Sequence, residues 1–104
     1  MSEGLALVTA SGIDAAVAYD VFDESVVAAP FVKYKRAAFL DPELPVAMRI
    51  DTVLKDLNLI LGLGQSMGVP LTAAEGVAEL FAQAQAAGYE SQDMSALFRF
   101  ISQS

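Results

Sequence analysis

Apolar residues recur along the chain at spacings of three and four, and nowhere alternate in twos over a useful length. That period is the mark of amphipathic helices rather than strands. Alanine occurs 18 times and supports the same reading. A first helix covers Glu3 to Ala10, with Leu5, Ala6, Leu7, Val8 and Ala10 apolar on every side; Gly12 suits a left-handed C-terminal cap. Such a helix is either buried or part of a longer one, or else a frayed end. Asp14 caps a second helix that runs to about Asp23, with Val17, Val21 and Phe22 predicted to face inward. Acids at its end, Asp20, Asp23 and Glu24, oppose the helix dipole and read as a solvated cluster.

A third helix starts near Pro30 and carries Phe31, Val32, Tyr34 and Phe39; Asp41-Pro42 and Pro45 then mark a loop. The fourth and central helix begins at Ala47 or Asp51 and stops at Gly68. Its inward stripe is Leu54, Leu57, Leu61 and Gly64. Gly62 and Gly64 each cost about 1 kcal/mol relative to alanine, a loss that close packing would offset. Thr72 and Glu75 have capping-box spacing at the start of the fifth helix, whose inward stripe is Val77, Leu80, Phe81 and Ala84 and whose stop is Gly88. Asp93 caps a last helix bearing Leu97, Phe100 and Ile101. The fold class this predicts is all-α, a six-helix bundle in one domain over residues 1–104.

Composition narrows the chemistry. The 104 residues include no cysteine and no histidine. Disulfides, thiol nucleophiles, thiolate metal sites and imidazole acid–base chemistry are thereby excluded. No metal site and no self-contained catalytic set is legible. The net charge is −7, which argues against a nucleic acid or an anionic membrane as partner. Hydrophobic residues make up 55% and charged residues 18%. That is more apolar than a free-standing domain of this size requires, and it implies an association surface. The longest uncharged run, between Asp56 and Glu75, is broken by glycines, Pro70 and polar side chains, so no membrane span is expected. No secretory leader is expected either, and the chain reads as soluble and cytoplasmic.

Five of the six basic residues, Lys33, Lys35, Arg36, Arg49 and Lys55, fall in one stretch, while the first 32 residues hold five acids and no base. A band of this kind suits the phosphates of a nucleotide, or is an ordinary solvated face. Lys55 likewise has two readings. It pairs with Asp51 at i, i+4 on the helix surface, or it points outward towards a ligand.

The run Asp51-Thr52-Val53-Leu54-Lys55-Asp56-Leu57-Asn58-Leu59 is followed by Gly68-Val69-Pro70-Leu71, then Ala86-Ala87-Gly88 and Asp93-Met94-Ser95-Ala96-Leu97. In this order the motifs resemble the C-terminal helical domain of the β-hydroxyacid dehydrogenases, the 3-hydroxyisobutyrate dehydrogenase group, and more broadly that of 6-phosphogluconate dehydrogenase-like enzymes. The opening Glu3-Gly4-Leu5-Ala6-Leu7 with Gly12-Ile13-Asp14 is similar to the end of that family's interdomain helix. The resemblance implies a domain that caps the substrate and dimerises, paired with a Rossmann domain that binds NAD or NADP. The catalytic lysine and asparagine of such an enzyme would lie outside this chain, which is expected to be inactive by itself. The resemblance places Lys55 beside the cofactor and gives Asp56 a role in fixing helix contacts. It also implies an aromatic residue near the nicotinamide in the turn before the helix, where this sequence has Met48. The partners implied are a second copy of the chain and the Rossmann domain. The competing expectation is a stand-alone helical interaction module without redox activity.

Overall fold

The computed structural model describes residues 1–25 and 30–103. Six α-helices follow in order: α1 (Ser2–Ala10), α2 (Ala15–Asp23), α3 (Pro30–Leu40), α4 (Ile50–Met67), α5 (Thr72–Ala84) and α6 (Leu97–Ser102). A π turn over Gln85–Tyr89 extends α5, and a 3₁₀ turn over Met94–Ala96 leads into α6. Extended pairing among the described residues is confined to an isolated bridge between Arg49 and Asp93. The all-α class and the order of helices agree with the pattern of the sequence. The chain divides into two compact units, Met1–Pro45 with Ser95–Ser104, and Val46–Met94.

In the first unit α1 packs on α2 and α6, and α2 on α3. Leu5, Ala18, Tyr19 and Phe39 form the buried centre, with Val8, Ala15, Phe22 and Phe98 among the residues packed around it. The inward face of α2 is therefore Ala15, Ala18, Tyr19 and Phe22, at i, i+3, i+4 and i+7. This corrects the expectation for Val17 and Val21, which are 58% and 65% exposed. On α3, Tyr34 is 72% exposed, while Lys35 is buried. The Tyr19 ring lies 5.7 Å from that of Phe39, and its hydroxyl donates to the Val32 carbonyl at 2.6 Å. Desolvation, with Asp23 nearby, raises the Tyr19 pKa above its ordinary value.

Local signals explain the helix ends. The Asp14 carboxylate accepts from the Val17 amide at 3.3 Å, the cap expected for α2. Helix α1 closes in a Schellman motif: Ile13 N–H donates to Val8 O, Gly12 N–H donates to Thr9 O, and Gly12 has a φ of 90°. Helix α4 closes in the same way, with Val69 N–H on Gly64 O, Gly68 N–H on Gln65 O, and a φ of 70° at Gly68. One face of α1 is open, with Glu3, Leu7 and Ala10 exposed, while its other residues are buried or half-buried, Leu5 completely.

In the second unit α4 packs on α5 and on the π turn. Leu54 and Gly64 are buried and Leu57 and Leu61 half-buried, in keeping with the expected stripe. On α5 the buried positions are Ala78, Phe81 and Ala84, while Val77 is 45% exposed rather than inward. The capping box does not form. Leu71 is the N-cap residue of α5 and provides no side-chain bond, because Thr72 is already the first helical residue.

Candidate functional site

The sequence-derived candidates lie in the turn before α4, at Met48, and on α4 itself, at Lys55. No side chain caps this helix. Its first amides are instead satisfied from the far end of the unit: Ile50 N–H donates to Gln92 O at 2.9 Å and Asp51 N–H to Glu90 O at 3.0 Å. Those backbone bonds complete the helix end that would otherwise attract an anion. Two residues before Ile50, the Met48 carbonyl accepts from Met94 N–H at 2.7 Å. The carboxylate of Asp93 accepts from Ala47 N–H at 3.0 Å and from Met48 N–H at 3.1 Å through the same oxygen. Asp93 is 8% exposed. It was expected to cap the last helix, but Ala96 holds that position and the Asp93 side chain turns back on the 46–48 segment instead.

Beside this joint lies a cavity of about 460 Å³, lined by Val46, Ala47, Met48, Arg49, Thr52 and Ser91. Met48, a sequence candidate, is 43% exposed and forms part of its wall. Lys55 does not line it. It is exposed and stands on α4 one turn after Thr52.

Ion pairs decide most of the basic band. Arg49 grips Asp51 with both ends of the fork, Nε to Oδ1 at 3.0 Å and Nη2 to Oδ2 at 2.8 Å. That hydrogen-bonded pair raises the Arg49 pKa and lowers that of Asp51. Lys33 pairs with Asp23 and Arg36 with Asp20, both at 3.0 Å. Asp20 and Asp23 at the end of α2 thus partner α3 cations on a solvated surface, and Glu24 beside them is exposed. Lys55 makes no ion pair among the described residues, and the i, i+4 bridge to Asp51 does not form because Arg49 occupies that carboxylate. Asp56 is exposed beside it.

A second, larger groove of about 690 Å³ runs along the other end of α4, past Asn58, Gly64, Gln65, Gly68, Leu71 and Glu75. Among the described residues no group of three or more histidine, cysteine, aspartate or glutamate side chains is placed to hold a metal ion. No described helix is long and apolar enough to cross a membrane.

With this geometry in hand, residues 1–101 match the family model described as the NAD-binding domain of NADP-dependent 3-hydroxyisobutyrate dehydrogenase. The chain belongs to this family. Its relatives include glyoxylate/succinic semialdehyde reductase 1 of Arabidopsis thaliana, 29% identical over 100 residues, which are 96% of this chain and 35% of that protein. Another is the cytokine-like nuclear factor N-PAC of Aedes aegypti, 28% identical over 98 residues, 94% of this chain and 18% of that protein. The crystal structure of 3-hydroxyisobutyrate dehydrogenase from Salmonella typhimurium superposes with a TM-score of 0.87 at 26% identity, covering 95% of this chain and 35% of that one. The chain therefore spans about a fifth to a third of the length of these family members. The family's own description joins NAD binding to NADP dependence, which fits the nucleotide cofactor implied by the sequence motifs.

Proposed function

We propose that these helices form the C-terminal, substrate-capping and dimerisation domain of an NAD(P)-dependent oxidoreductase acting on a β-hydroxyacid or semialdehyde. The observation that carries this reading is the family match across residues 1–101, reinforced by relatives named as semialdehyde reductases and a dehydrogenase neighbour of the same fold. In this role Lys55 and Met48 face the cofactor held by a Rossmann domain. Lys55 offers a positive charge that no carboxylate among the described residues takes up, suited to a phosphate or ribose oxygen. Met48 supplies an apolar, polarizable surface in place of an aromatic ring. Catalytic residues are assigned to the rest of the enzyme, so the 104 residues alone are inactive.

Self-association is supported by α4. Leu59, Ile60, Leu63 and Met67 lie on one face of that helix and are 65%, 52%, 64% and 70% exposed. An apolar stripe without charge is what a second copy of the same helix would cover.

The test is transplantation. This chain replaces the segment it matches, 101 residues, in the L-threonate dehydrogenase of Escherichia coli. The reading predicts NAD(P)-linked turnover by the hybrid and none by the free chain. A folded hybrid without nucleotide-dependent turnover, or oxidation of 3-hydroxyisobutyrate by the free chain, contradicts it. The N-PAC relative, named as a nuclear factor and not as an enzyme, favours the alternative of a helical interaction module. An inactive hybrid whose free chain still self-associates through α4 would decide for that alternative.

A further inference from the structure

Sequence spacing assigned Asp93 to a helix cap, and the proposed cofactor role does not use it. Its actual position is unusual. A carboxylate 92% removed from solvent spends one oxygen on two successive backbone amides, Ala47 and Met48, that lie 46 and 45 residues away in the chain. Burying a charge of this kind is costly unless it is matched by donors, and here the donors belong to the segment that ends in Met48. The neighbouring bonds Met94 N–H to Met48 O, Ile50 N–H to Gln92 O and Asp51 N–H to Glu90 O tie the same two segments together. Asp93 does so through its side chain, which makes this part of the attachment depend on residue identity.

We propose that Asp93 is a positioning residue for nucleotide binding. It fixes the 46–48 turn so that Met48 and Arg49 form the wall of the cavity of about 460 Å³ at the start of α4. The proposal rests on the reading of Met48 as a cofactor contact, and deepens it by naming what holds that contact in place. Met48 is itself a flexible side chain on an exposed turn. Its usefulness to a ligand depends on a backbone that does not wander, since ordering a mobile turn at the moment of binding weakens affinity. Proximity in sequence cannot supply that rigidity. A buried acceptor from the 90–94 segment does.

Nuclear magnetic resonance on the E. coli hybrid, in which the rest of the enzyme holds the nucleotide, with NADPH as the probe, tests this in one sample series. In the wild type the Ala47 and Met48 amides should exchange with solvent as slowly as amides inside α4, and NADPH should shift the Met48 methyl and the Lys55 amide. Asp93→Ala should speed exchange at Ala47 and Met48 by about tenfold or more, with Tyr19 and Phe39 unchanged. It should also weaken the NADPH-dependent shift at Met48. Asp93→Asn keeps an acceptor oxygen in place and should restore both signals towards wild type. The role of Asp93 is overturned by an alanine variant with loosened amides but undiminished response to NADPH. Free exchange at Ala47 and Met48 in the wild type also overturns it, and needs no variant, so a poorly folded Asp93→Ala leaves the matter decidable. A wild type that shows slow amides but no response to NADPH at Met48 or Lys55 instead removes the cofactor reading on which the proposal stands.

Discussion

Replacing Gly64 by alanine sets two opposing effects against each other. In an open helix the change should stabilise by about 0.5–1 kcal/mol, because glycine loses more backbone freedom on folding. At position 64, however, an added Cβ would lie 2.5 Å from Leu71 Cδ1, 3.0 Å from Leu71 Cγ and 3.2 Å from the Val69 carbonyl oxygen. Leu71 can rotate its end away. Its Cγ cannot retreat without turning the whole half-buried side chain off the helix, and Val69 O belongs to a turn held by the bond from Val69 N–H to Gly64 O at 2.9 Å. Repacking of that kind costs about 1–3 kcal/mol. The net expectation is a loss of about 1 kcal/mol. Gly62, two residues earlier, is the internal control, since nothing lies within 4 Å of a Cβ placed there. Gly62→Ala should gain what Gly64→Ala loses. For a domain of this size, about 1 kcal/mol moves Tm by about 4–8 °C. Thermal unfolding followed by circular dichroism should therefore place Gly62→Ala a few degrees above wild type and Gly64→Ala a few degrees below it. A Gly64→Ala protein as stable as Gly62→Ala would refute the claim that the bare helix surface is there to admit Leu71.

Three further outcomes follow from the same geometry. Tyr19→Phe removes the 2.6 Å bond to the Val32 carbonyl and should cost about 1 kcal/mol by urea unfolding; no loss would show that the carbonyl finds water instead. Because burial raises the Tyr19 pKa, its neutral phenol stabilises the fold fully below the ordinary tyrosine pKa, and that contribution is lost as pH rises towards the folded-state value. The fall of Tm above about pH 10 should accordingly be shallower in Tyr19→Phe than in wild type, and equal slopes would contradict it. Leu63→Glu, on the exposed face of α4, should turn a self-associating chain into a monomer in sedimentation velocity with its helical signal intact; association unaffected by the charge would place the interface elsewhere.

Much of the fold was legible because its signals are local. Gly12 and Gly68 mark helix ends with φ values of 90° and 70°, and Asp14 caps α2 through its own side chain. The faces of short helices were harder to read. In α2, Val17 and Val21 look like the natural core residues, but alanines at 15 and 18 let the helix approach closely and hand the centre to Tyr19. A capping box needs Thr72 just outside the helix, and α5 starts at Thr72 itself. For the candidate site, Lys55 and Met48 rest on the family resemblance of the lysine-aspartate-leucine run and of the turn before it. Asp93 was noticed for the wrong reason, because its partners, the amides of Ala47 and Met48, carry no side-chain signature and lie half the chain away. The partners of the basic band were hidden for a similar cause: Asp20, Asp23 and Asp51 meet its members only once the helices have packed or the 49–51 turn has formed.

The central claim is that an exposed lysine on α4 meets a nicotinamide nucleotide held by another part of the enzyme. Steady-state kinetics of Lys55→Ala in the E. coli hybrid tests it most directly. Lys55 is exposed and pairs with no carboxylate among the described residues, so its removal should leave folding within about 0.5 kcal/mol of wild type. The account predicts a cofactor KM raised about tenfold, the loss of one charge-assisted contact, with kcat little changed. A cofactor KM equal to that of the unsubstituted hybrid would contradict it.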